Sequence, residues 1–119
     1  MERQLKVTNK SEFLKFLDAI SKINDSGVII DIKEDNLTSL VSSIDSTLIL
    51  HAEYAAHFGF EAGLNIPDVK KLRSVLDTVD ASDIALDINS NNIQYNGDDV
   101  KFKYHLYEEG FINRPNINL

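Results

Sequence analysis

The sequence predicts an α+β domain built from a duplicated βαβββ unit, with two helices packed on antiparallel sheets. Three observations carry this reading. Two segments have helical hydrophobic period, several short apolar segments are bounded by Asn, Asp and Gly, and one half of the chain echoes the other in register.

Ser11 followed by "EFLKFLDAISKIN" reads as the first helix. Ser11 can cap the first-turn amides, Glu12 suits the positive end of the dipole, and Phe13, Phe16, Leu17, Ile20 and Ile23 form the apolar stripe. Asp25-Ser26-Gly27 stops it, and "VIIDIK", "LTSLVSS" and "STLILHAEY" read as three strands. "FEAGLNI" reads as a fourth strand leading into "IPDVKKLRSVLDTV". In that segment Pro67 fits the first helical position, Asp68 the first turn, and Val69, Leu72, Val75, Leu76 and Val79 the buried stripe. "DIALDIN", "NNIQYN" and "DDVKFKYHLY" close the chain as strands. The order is strand, helix, three strands, and then the same again.

A shift of 56 positions pairs Lys15 with Lys71, Phe16 with Leu72, Ile20 with Leu76 and Ile23 with Val79. It also pairs Val28 with Ile84, Asp31 with Asp87, Ile32 with Ile88 and Asn36 with Asn92, and further on Leu50 with Leu106 and Glu53 with Glu109. Any two amphipathic stretches match in polarity, but this register runs without a gap through two element types. It marks a tandem duplication, with repeats over about 1–56 and 57–112 and an exit segment at 113–119.

Composition narrows the function. With 119 residues the chain has room for one core, and the absence of Cys excludes disulfides, thiolate catalysis and zinc–sulfur sites. The N-terminal "MERQLKVTNK" has no apolar centre and no apolar run reaches membrane-span length, so the expectation is a cytoplasmic protein without a membrane partner. A formal net charge of −7 argues against wrapping nucleic acid with the whole surface. It leaves room for one local basic face.

Such a face is written into the helices. The stripes leave Lys15 and Lys22 outward on the first helix and Lys70, Lys71 and Arg73 on the second, five of the twelve basic residues, set against Asp18 and Asp77. The acids collect on strands and turns: Asp31, Glu34, Asp35, Asp45, Glu53, Asp83, Asp87, Asp98, Asp99, Glu108 and Glu109. A basic face of this size suits weak, sequence-independent contact with phosphates, with a Kd of about 10⁻⁴ to 10⁻⁶ M. No Asn/Arg pair is set to meet base edges. Phe102, Tyr104 and Tyr107 read as strand packing rather than a stacking platform.

A duplicated βαβββ domain with lysine-bearing helices and acid-bearing sheets resembles the DNA sliding clamps, the processivity factors of replicative polymerases. "SIDSTLIL", Ser43 to Leu50, is similar to the Ser-hydrophobic-Asp-Ser segment of eukaryotic and archaeal clamps. "YHLYEEGFINRP" is similar to the exit from the first domain of tailed-phage clamps. The resemblance implies that Lys15, Lys22, Lys70, Lys71 and Arg73 face duplex DNA inside a ring. It implies that Val41, Ile44, Ile112, Pro115 and Ile117 help form a groove for peptides of polymerase and clamp loader. It further implies self-association through sheet edges, no cofactor and no enzymatic activity. Clamp subunits carry two or three such domains and this chain has the length of one, which fits an N-terminal domain, a truncated reading frame or a one-domain relative; a lone domain would need six copies to close a ring.

Two other classes stay open on the residues. "HAEYAAH" places His51, Glu53 and His57 close together, though at no spacing that defines a metal or acid–base site, and there is no glycine-rich phosphate loop. A peptide-binding module with an accepting sheet edge would share the fold and the acidity without using the helix lysines.

Overall fold

The computed structural model describes residues 3–98, 100–108 and 110–112. Chain order is β1 (Gln4–Val7), α1 (Lys10–Ile23), β2 (Ser26–Ile32), β3 (Asn36–Ser42) and β4 (Ile49–Ala55), then β5 (Ala62–Asp68), α2 (Val69–Asp77), β6 (Ile84–Ile88), β7 (Asn92–Asn96) and β8 (Lys101–His105). The strands form two antiparallel four-stranded sheets, β4-β3-β2-β5 and β1-β6-β7-β8. Each repeat's leading strand is therefore exchanged into the other repeat's sheet. Leu5 stands opposite Leu86 in one sheet as Leu64 stands opposite Ile30 in the other.

The core follows the repeat. Val28, Ile30 and Ile32 are buried, and so are Ile84, Leu86 and Ile88, their partners at the 56-residue shift. Ile20 and Leu76, also partners, are both fully buried between the helices and the sheets. Even the turns agree: the Lys33 N–H donates to the Asn36 carbonyl, and the Asn89 N–H to the Asn92 carbonyl.

The register is not gapless throughout. Leu5 and Leu64 lie 59 residues apart, as do the two helix caps, Asn9 and Asp68, because α1 has 14 residues and α2 only nine. Late in the repeats the offset falls to 50: Tyr54 pairs with Leu37 where Tyr104 pairs with Ile93. The pairing of Leu50 with Leu106 therefore fails, since Leu50 lies within β4 and Leu106 beyond the end of β8. The cause is the whole β3–β4 hairpin, whose strands have seven residues each against five in β7 and β8 and whose connection is also longer. Glu109, assigned to Glu53, lies outside the described residues.

Both helix starts also differ from the expected ones. Asn9, not Ser11, caps α1, its Oδ1 accepting from the Glu12 N–H. Asp68 caps α2 by accepting from the Lys71 N–H, and Pro67 belongs to β5. Proline is tolerated there because β5 is a sheet edge, where a missing N–H breaks no ladder bond.

The helices run antiparallel. Beyond α1, the Asp25 carbonyl accepts from Val69 at the start of α2, while the N–H of Lys10 reaches Ser82 beyond the end of α2. The Lys10 ammonium also donates to the Val79 carbonyl, just past the C-cap of α2. A second tie joins the sheets. The Tyr104 hydroxyl donates to the Asp68 carbonyl at 2.7 Å and accepts from the Asp68 N–H at 2.9 Å, bolting β8 to the cap of α2.

Two outcomes follow for stability. Leu76→Ala should cost about 2–5 kcal/mol in urea unfolding, the usual range for a large side chain emptied from a packed core. Burial pushes the Tyr104 phenol up from its ordinary 10.0 to about 12. A folded-state value above the unfolded one means the contribution is complete below pH 10 and lost as pH rises toward 12. The stability difference between the protein and Tyr104→Phe, measured against pH, should therefore shrink across that window. A constant difference would show that the hydroxyl is not held as described.

Candidate nucleic-acid interface and partner groove

The five basic residues expected on the helical face are found on it, but in three different electrostatic settings. Lys22, in the last turn of α1, and Lys71, in the first turn of α2, are exposed and make no ion pair among the described residues. Lys15 reaches Glu12 one turn away at 3.3 Å, and Lys70 reaches Asp25 at 3.2 Å, both with well-exposed ammonium groups. Pairs of this kind are worth little in water, so these lysines remain open to other anions.

Arg73 is different. Its Nε donates to Asp18 of α1 at 3.1 Å while its guanidinium also meets Asp77 at 3.4 Å, and its side chain is only 35% exposed. Position 73 is the counterpart of the fully buried Leu17 at the 56-residue shift, which explains why it sits toward the helix–helix seam. Facing outward with only Asp18 and Asp77 opposed was the expectation. The structure instead places those two carboxylates on Arg73 itself, and adds Glu12, Asp25 and Asp80 around the helix ends.

The residues assigned to a partner groove are partly brought together. Val41 is buried on β3 and, with Ile112, lines a small cavity of about 150 Å³ beside Gly27 and Leu40. Ile112 also borders a larger crevice of about 500 Å³ between the two sheets, whose walls include Arg3, Asp31, Gly63 and Tyr107. Pro115 and Ile117 lie outside the described residues.

Ile44 stands apart from both cavities, 87% exposed at the tip of the β3–β4 hairpin, with Leu48 half exposed beside it. The tip is held by a polar knot. Asp45 accepts from the Ser43 hydroxyl, the Thr47 hydroxyl and the Thr47 N–H, and the Ser43 hydroxyl accepts from the Leu48 N–H. Ser46 takes a left-handed φ of 62° to close it. The Ser43 hydroxyl first, then Thr47, holds the Asp45 carboxyl down at about 2. The Ser-x-Asp-x-Thr spacing carried this information, because each oxygen is within one turn of the next.

The histidines do not assemble a site. His51 and Glu53 are exposed on β4, and Glu53 accepts from Asn36. His57 instead meets Asp35 at 3.0 Å, a hydrogen bond that raises its pKa. No group of three or more metal-binding side chains forms among the described residues. No helix there is long and apolar enough to cross a membrane.

No protein-family model matches the chain, and no curated protein matches it in sequence. Solved structures match it in fold. A DnaN sliding clamp (DNA polymerase III subunit beta) from Pseudomonas aeruginosa bound to griselimycin aligns over 100% of this chain and 34% of its own, with a TM-score of 0.78 and 10% identity. The corresponding clamp from Bartonella birtlesii aligns over 100% and 33%, with a TM-score of 0.77 and 12% identity. A Helicobacter pylori beta clamp bound to a DNA ligase peptide aligns over 88% and 29%, at 0.66 and 13%. The fold is thus clamp-like, and the chain spans about a third of the length of the clamps it matches.

The Asp45 knot gives a direct check. In a proton titration followed by carboxyl NMR, Asp45 should titrate near 2 rather than near its ordinary 3.8, and Ser43→Ala should return it toward 3.8. An unmoved midpoint in Ser43→Ala would remove the knot as the reason Ile44 is held outward.

Proposed function

We propose that this chain is a sliding-clamp domain, part of a processivity factor that encircles duplex DNA and tethers the replicative polymerase. The observation that carries the reading is the exchange-paired βαβββ duplication, shared over the whole chain with structures of DNA polymerase III beta clamps. In this role the helix pair faces the duplex, with Lys22, Lys70 and Lys71 meeting phosphates loosely enough to slide and Lys15, paired with Glu12, beside them on the same face. Arg73 serves that face by setting the two helices rather than by touching DNA. The protein is non-enzymatic, acts in the cytoplasm and needs no cofactor.

The partner side is the sheet face. Ile112, beside the small cavity that the buried Val41 lines, would receive short apolar peptide segments of the polymerase and clamp loader together with Pro115 and Ile117, and the hairpin tip at the exposed Ile44 would offer a separate contact. A repeat boundary near residue 56 and an exit segment from 113 fit a domain joined to neighbours of the same kind. Within this reading the "YHLYEEGFINRP" segment favours a clamp of the tailed-phage kind. The exposed Ile44 and Leu48 also suit a peptide-binding module of the same fold that makes no use of DNA.

Sedimentation equilibrium over a wide concentration range tests assembly. The expected result is self-association through the sheet edges toward a discrete species of about six chains, the closed form for single clamp domains. A strict monomer at every concentration would sink self-assembly of this chain. Charge reversal at Lys70 and Lys71 then separates the two roles, abolishing polymerase stimulation for a clamp and leaving peptide capture untouched for the module.

A further inference from the structure

The antiparallel pairing of α1 and α2 sorts the charges of the helical face along its length. At one end lie Lys22, Lys70 and Lys71, opposed by Asp25 and by Asp68, whose carboxylate is engaged in capping the Lys71 N–H. The Arg73–Asp18 pair sits at the middle. At the other end the carboxylates of Glu12, Asp77 and Asp80 outnumber the ammonium groups of Lys15 and Lys10, the latter donating to the Val79 carbonyl. A shallow groove of about 820 Å³ opens there, with Asp18, Asp77 and Asp80 on its wall. The helix dipoles oppose one another in this arrangement, so side chains decide the sign at each end.

We infer that the helix pair holds a phosphate backbone at one end only, through Lys22 and Lys71 with Lys70 beside them, and repels it at the end marked by Asp77 and Asp80. This rests on the DNA-facing reading of the helices. Lys22 and Lys71 have no ion pair among the described residues to break, whereas a phosphate approaching Lys15 meets three carboxylates within a few turns of helix. Groups lining one groove are only partly screened from one another, the Debye length being about 10 Å at 0.1 M salt, so the acids are felt there. The contact is thus polar along the helix axes, and a backbone crossing the face is drawn toward the α1 C-terminus.

The test is fluorescence anisotropy of a labelled, random-sequence duplex titrated with the chain from low to physiological salt. Lys22→Ala/Lys71→Ala should lower the slope of log affinity against log salt by about two, one for each phosphate no longer neutralised. Lys15→Ala should leave affinity and slope unchanged. Asp77→Asn/Asp80→Asn should raise affinity several-fold at low salt. Thermal melts of each variant confirm folding. If Lys15→Ala weakens binding as much as Lys71→Ala does, or if neutralising Asp77 and Asp80 brings no gain, the one-ended contact is overturned while DNA binding stands. Failure of the unaltered chain to bind at the lowest salt would instead overturn the DNA-facing reading, and this inference with it.

Discussion

The exchange of leading strands between the two repeats is the constraint on which the rest of the structure depends. β1 completes the sheet of β6, β7 and β8, and β5 completes that of β2, β3 and β4. Each helix follows directly on its exchanged strand, so α1 and α2 must leave from opposite sheets and return across the same face. That crossing makes them antiparallel neighbours. It also buries Ile20 and Leu76 in a core neither repeat could form alone. Everything chemical on the helical face inherits its position from this crossing.

The crossing explains the setting of Arg73, which charge type alone does not reveal. On a single helix it projects from the polar side, as does Lys70. Beside an antiparallel partner it lies against Asp18, and a guanidinium can satisfy two carboxylates at once where an ammonium would favour water. The lysines with no such partner keep their freedom. Function on this face is therefore a matter of which cations the packing leaves unengaged.

Much of the architecture was legible because burial repeats with the sequence: the stripes of both helices, apart from the partly buried Ile23 and Val75, and the alternation Val28-Ile30-Ile32 and Ile84-Leu86-Ile88 are core in the structure. The strand order within each sheet was not legible, since alternation says which face of a strand is buried and nothing of which strand it meets. The caps were misplaced for a local reason. Asn9 stands three residues before Glu12, a capping spacing, but Ser11 lay nearer the apolar run. Of the candidate site, the open lysines could be found from residue type, whereas Ile44 came from the clamp resemblance, since an isoleucine by itself predicts burial. The pairing of Arg73, the burial of Val41 and the acids gathered at one helix end depend on a tertiary neighbour and could not.

The two repeats also end differently, and that gives the chain edges with distinct identities. β4 is an outer strand seven residues long with Glu53 exposed, and β8 is an outer strand of five with Lys101 and Lys103 exposed. A like-with-like, isologous contact of β8 sets lysines against lysines, which is destabilising across an antiparallel pair. A heterologous contact of β4 with β8 sets Glu53 against them instead. The drift between duplicated halves has thus converted two equivalent margins into a head and a tail.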